Sequence, residues 1–167
     1  MKKSKEAFLA ILDENRQIIF KVCNMYCRDK EDEKDLVQDV IIQLWNSFEK
    51  FDGRVKISTW IYRIALNVAI SFYRKSKTRA NHSADFDESF LQIAPSEGPN
   101  YDEQIDLLKQ FINNLDQMHK ALMILYLDGN SHEEIANILN ISKSNVGTKI
   151  NRIKQKLKVQ FENINTL

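Results

Sequence analysis

Glycine and proline are scarce in this chain: 167 residues carry four Gly and two Pro. So few turn formers argue for long helices and few tight turns. No long alternating β-branched run occurs, which leaves an all-α chain. No apolar stretch approaches the roughly 20 residues of a membrane span, so no membrane insertion is expected. The start, Met1-Lys2-Lys3-Ser4-Lys5-Glu6, is not followed by a signal-type apolar core. The expected location is the cytoplasm. The two cysteines, Cys23 and Cys27, lie on one predicted helix and point the same way, which suits a disulfide poorly. A zinc site needs about four ligands, and His82, His119 and His132 are scattered. Both cysteines are therefore read as reduced structural thiols, with no metal and no other cofactor expected. A nucleophile paired with a base and a Gly-rich phosphate loop are also missing, so the chain is not expected to be an enzyme.

Acid is missing from one stretch only. Between Gly53 and Arg79 stand Arg54, Lys56, Arg63, Arg74, Lys75, Lys77 and Arg79, with no Asp or Glu. The whole chain has a formal net charge of +1, so this is local segregation. Ser58 is placed to cap a helix over Thr59 to Arg74. Ile61, Ala65, Val68 and Phe72 recur at helical spacing as an inward stripe. Trp60, Arg63, Asn67, Ser71 and Arg74 share another stripe. Aromatic faces stack on bases, Arg neutralises phosphates and Asn reads base edges, so this set suits nucleic acid with unstacked bases. Trp60 fits two roles, stacking on a base or packing in the core. Phe51 to Ile57, with Gly53 inside, reads as a turn that presents side chains.

The flanking elements are also legible. Phe8 to Cys27 reads as a helix. An acidic cluster follows, and Asp35 to Phe48 reads as a second helix with Leu36, Val37, Val40, Ile41 and Leu44 inward. Asp35, Gln38, Asp39 and Ile42 share its other side. An Ile among polar groups suits a protein contact; a solvated face with one stray Ile is the alternative. Asn81 to Leu108 holds Asp and Glu but no Lys or Arg, and Pro95 to Asn100 cannot be helix interior. This acidic stretch reads as a flexible linker, placed at 80–103, between two small helical domains at 1–79 and 104–167.

Past the linker, Asp128-Gly129-Asn130 ends a helix. Ser131 and Glu134 form a capping-box pattern. Asn140-Ile141-Ser142 then joins two helices in the manner of a helix-turn-helix. Val146, Ile150, Ile153 and Leu157 fall inward on the second of them. From Lys143 to Lys158 that helix carries Lys and Arg and no acid. Ser144, Asn145, Thr148, Lys149 and Arg152 are its candidate groove-facing residues. Gly147 costs about 1 kcal/mol in a helix interior and is read as a point of close approach to DNA.

Glu33 to Val40 resembles the core-binding segment of bacterial sigma factors. Phe51-Asp52-Gly53 with Ser58 to Asn67 is similar to the promoter-melting segment of their extracytoplasmic-function subgroup. Ser131 to Ala136 with Asn140-Ile141-Ser142 resembles that subgroup's terminal helix-turn-helix. The resemblance implies a protein that binds core RNA polymerase, at the clamp helices and the flap, and directs it to promoter DNA. It implies polymerase contact by Asp35, Gln38, Asp39 and Ile42. It implies opening of the minus-ten element by Arg54, Lys56, Trp60, Arg63, Asn67 and Arg74, and minus-thirty-five reading by Ser144, Asn145, Thr148, Lys149 and Arg152. It also implies a linker threading polymerase channels and an anti-sigma factor as a further class of partner. The family often has Arg where Lys149 stands, so promoter sequence does not carry over. A free-standing helix-turn-helix regulator is the competing reading, but it gives Trp60 and the Asp39 face no role.

Overall fold

A computed structural model describes residues 3–82 and 100–165, with side chains placed for 3–76 and 103–163. These residues form seven helices, and no strand is found among them. The chain divides into two compact units, one built on the first three helices and the other on the last four.

In the first unit, α1 spans Lys5–Tyr26. Ser4 caps it, its hydroxyl accepting the Ala7 N–H at 3.1 Å. Phe8, Ile19, Val22, Cys23 and Tyr26 are its buried side. Helix α2 spans Lys30–Phe48, so it begins ahead of the Asp35 expected from sequence. The acidic cluster is the helix start itself: Asp29 accepts the Asp32 N–H at 2.7 Å, and Glu31, Asp32 and Glu33 fill the first turn. Carboxylates there meet the positive end of the helix dipole. Leu36, Val40, Leu44 and Phe48 are buried at intervals of four residues, and each contributes about 1.5–3 kcal/mol of apolar burial. Val37 and Ile41, expected inward, are half-buried beside that stripe.

Helix α3 spans Ile57–His82. Its first turn closes on the Lys56 carbonyl, which accepts the Trp60 N–H at 3.1 Å. Ser58 therefore lies inside the helix and does not cap it, contrary to the sequence reading. The inward stripe is also rotated. Thr59, Ile61, Tyr62, Ala65, Leu66 and Ala69 are buried, whereas Val68 and Phe72 are half-buried.

The second unit holds α4 (Asn100–Asn113), α5 (Gln117–Leu127), α6 (His132–Leu139) and α7 (Lys143–Asn165). Lys120 to Leu125 of α5 are buried without a break, making it the central helix of the unit. Phe111, Ile112, Ile135, Ile138, Val146, Ile150 and Ile153 complete the core. Gly129, at φ +86°, ends α5 in the left-handed region. The linker expected at 80–103 meets helix at both ends, since α3 reaches His82 and α4 starts at Asn100. Residues 83–99 lie outside the described residues.

Candidate nucleic-acid and polymerase interfaces

On α2, Asp35, Gln38, Asp39 and Ile42 all face outward, with Ile42 56% exposed. Trp45, one turn further on, is 44% exposed and meets Phe8 edge-on with ring centroids 5.0 Å apart. The sequence reading missed it, because an aromatic residue in an amphipathic helix is by default a core residue. Asp35, Asp39 and Gln43 line one wall of an open groove of about 530 Å³, and Asn67, Ser71 and Lys75 of α3 line the other. Val68 and Phe72 form part of its α3 wall, which explains why they are not core. Residues read from sequence as a polymerase face and as a melting face thus share one groove. On its acidic rim, lost hydration and then the neighbouring Asp29, Asp35 and Glu31 raise the Asp32 carboxyl above its ordinary value.

The loop before α3 is held by its own side chains. Asp52 accepts the Arg54 backbone N–H at 3.0 Å and pairs with the Arg54 guanidinium at 3.1 Å. Gly53 has φ +77°, where a Cβ would be strained. Arg54 and Lys56 are exposed. The exposed Arg54–Asp52 pair contributes little to stability, so a phosphate can take Asp52's place at little cost. Below the loop, Trp60 is half-buried and stacks on Phe51 at 4.8 Å between centroids, with Phe48 at 6.2 Å. These ring contacts are of the kind that the core reading of Trp60 expects. Along α3, Arg63 is half-buried, and Asn67 and Arg74 are exposed.

In the second unit the capping box is complete: Ser131 accepts the Glu134 N–H at 3.1 Å, and Glu134 accepts the Ser131 N–H at 2.9 Å. Asn140 adopts the left-handed conformation at φ 57°, ψ 47°, turning the chain between α6 and α7. Ser142 caps α7, accepting the Asn145 N–H at 3.0 Å. Ser144, Asn145, Thr148 and Arg152 are exposed and Lys149 is half-buried, while Val146, Ile150 and Ile153 face the core. Leu157, expected inward, is half-buried. The Thr148 hydroxyl donates to the Ser144 carbonyl at 3.0 Å. Gly147 is half-buried, and a Cβ built there would sit 3.6 Å from His132 Nδ1 of α6.

Among the described residues, no group of three His, Cys, Asp or Glu side chains could hold a metal ion. Neither Cys23 nor Cys27 is in a disulfide, and burial, with Cys27 and Glu33 adding to it, pushes Cys23 up to about 12. No described helix is long and apolar enough to cross a membrane.

Residues 11–79 match Sigma-70 region 2 and residues 105–157 match Sigma-70 region 4. The RNA polymerase sigma factor YlaC of Bacillus subtilis is 32% identical, over 77% of this chain and 76% of its own. The ECF RNA polymerase sigma-E factor of Escherichia coli K12 is 30% identical, over 74% of this chain and 71% of its own. The chain belongs to the extracytoplasmic-function sigma factors. The ECF RNA polymerase sigma factor SigW of Bacillus subtilis aligns over 98% of this sigma factor and 93% of itself at 28% identity. Among solved structures, CnrH, determined with the cytosolic domain of CnrY, has a TM-score of 0.70 at 19% identity, covering 96% of this chain and 90% of its own. The RpoE sigma factor of Bartonella quintana, determined with the anti-sigma factor NepR, has a TM-score of 0.63 at 23% identity, covering 95% and 96%. Both share its helical fold. This sigma factor is an initiation factor: it binds core RNA polymerase and directs promoter-specific transcription.

Proposed function

We propose that the two units divide that work at residues 1–79 and 104–167, with 80–103 as a linker through the polymerase. Asp35, Gln38, Asp39 and Ile42, extended by Trp45, contact the clamp helices. Arg54 and Lys56 hold the phosphates of the opened minus-ten strand. Its bases meet the loop and the α3 line of Arg63, Asn67 and Arg74, with Trp60 supporting the loop from below. Ser144, Asn145, Thr148, Lys149 and Arg152 enter the major groove of the minus-thirty-five element, and the same unit meets the flap. The protein works in the cytoplasm as an accessory of the polymerase without enzymatic activity of its own, and an anti-sigma factor is its regulator. The observation that carries the reading is α7. It follows a left-handed Asn140 turn and exposes Ser144, Asn145, Thr148 and Arg152 while its opposite side is core.

Opening about ten base-pair steps costs on the order of 14 kcal/mol in stacking, whereas each base stacked on protein returns only roughly 1–3 kcal/mol. Melting therefore requires the polymerase. Permanganate footprinting on a cognate promoter should show reactive thymines with the holoenzyme and none with the sigma factor alone. Reactivity with the free protein would overturn this division of labour.

A further inference from the structure

The C-terminal end of α2 carries no basic residue in its last turn, yet its orphan carbonyls favour a positive charge. The charge arrives from the far end of the unit's sequence. The Lys3 ammonium donates to the Phe48 carbonyl at 3.0 Å and also to the Phe51 carbonyl. It lies 5.0 Å from the Phe48 ring centre and 5.1 Å from that of Phe51, within range of a cation–π attraction. Ser4, next in sequence, is the α1 cap, and Phe8, one turn into α1, packs its ring on Phe48 at 5.3 Å.

We propose that Lys3 is a positioning residue for the minus-ten loop. It ties the end of α2 to Phe51, and Phe51 is the ring on which Trp60 stacks and from which the Asp52–Ile57 loop departs. One ammonium thus sets where the loop begins, without itself meeting DNA. A methionine at this position fills similar space but donates no hydrogen bond and carries no charge, whereas arginine retains both. The proposal rests on the loop's reading as a minus-ten element, so its test needs one readout that does not use DNA.

Two measurements on the full chain separate the steps. In a Trp45→Phe background Trp60 is the remaining indole. There Lys3→Met should increase acrylamide quenching of Trp60 fluorescence and Lys3→Arg should not. In the holoenzyme, Lys3→Met should lower open-complex formation about tenfold, the scale of one lost charged hydrogen bond. Lys3→Arg should stay near wild type, and minus-thirty-five duplex binding should be unchanged in both variants. Unchanged quenching in Lys3→Met overturns the proposal at its structural step. Changed quenching with normal open complexes overturns the link from Phe51 to the minus-ten element, and equal failure of Lys3→Arg and Lys3→Met overturns the role of the ammonium.

Discussion

The indole of Trp60 lies on the ring of Phe51, with centroids 4.8 Å apart and planes 28° from parallel. The contact joins the first turn of α3 to the residue that opens the loop before it. A half-buried Trp between Phe48 and Phe51 is a structural support first. Trp60→Ala should therefore destabilise the first unit by about 2–3 kcal/mol, below the range for a fully buried aromatic. Trp60→Phe should lose less, because it preserves the stack. Denaturant unfolding of both variants checks this. A Trp60→Ala protein as stable as wild type would return the indole to the role of an exposed base platform.

Gly147 offers a test in the opposite direction. A Cβ there meets His132 at ordinary contact distance, and the backbone is helical. Gly147→Ala should raise stability by up to about 1 kcal/mol and leave promoter affinity unaltered. A loss of minus-thirty-five binding without a loss of stability would support the reading that DNA approaches this backbone.

The all-α fold and the helix-turn-helix were legible because apolar spacing and capping residues are local signals. Ser131 with Glu134 and Ser142 with Asn145 pair within one turn. Boundaries set by the backbone were less legible. Ser58 is a good cap by type, but the first hydrogen bond closes on Lys56, so the helix begins before Ser58 can act. The acidic run at Glu31–Glu33 stands outside the helix read from Asp35, because charge density masks its role at a helix start. Among site residues, exposure followed from helical position for Asp39 and Asn145. The support of Trp60 by Phe51, and of Phe51 by Lys3, spans parts of the chain that no local pattern connects.

Asp116 makes the stability of the second unit dependent on acid. Partial burial would push its carboxyl up. The His119 N–H at 2.9 Å, the His119 ring nitrogen at 2.5 Å and the charge on that ring outweigh this and hold it below its ordinary value. A folded value below the unfolded one means stability that is present above about 3.9 and is lost as pH falls through the folded value. Asp116→Asn keeps a good helix cap but removes the titration. The melting-temperature gap between wild type and Asp116→Asn should be open at neutral pH and narrow as pH falls below the ordinary carboxylate value. A gap independent of pH would show that the carboxylate contributes nothing through its charge.

The outward face of α2 is separable from its core, since Leu36, Val40 and Leu44 are buried and Gln38 and Asp39 are not. Asp39→Arg with Gln38→Ala should weaken polymerase binding while leaving the unfolding midpoint nearly unchanged. Competition with wild type for core polymerase measures the effect. Undiminished displacement by the double variant would remove these residues from the polymerase contact.

The exposed side of α7 divides by chemistry. Arg152 presents charge, and its loss should weaken binding to all duplexes alike. One released phosphate contact should lower the slope of log affinity against log salt by about 0.9. Lys149, half-buried, should behave in the same way, as a point charge and not as a forked donor. Asn145 differs, because a carboxamide can pair bidentately with adenine and so distinguishes bases. Asn145→Ala should leave the salt slope unchanged and relax preference at one position, costing about 1–3 kcal/mol on the preferred site alone. Its backbone N–H carries the Ser142 cap, which alanine preserves, so the helix start should survive the change. Selection from a randomised minus-thirty-five pool, with salt titrations on the winning sequences, separates the two classes. A uniform loss in Asn145→Ala would make Asn145 a backbone contact, and a shifted base preference in Arg152→Ala would make Arg152 a reader.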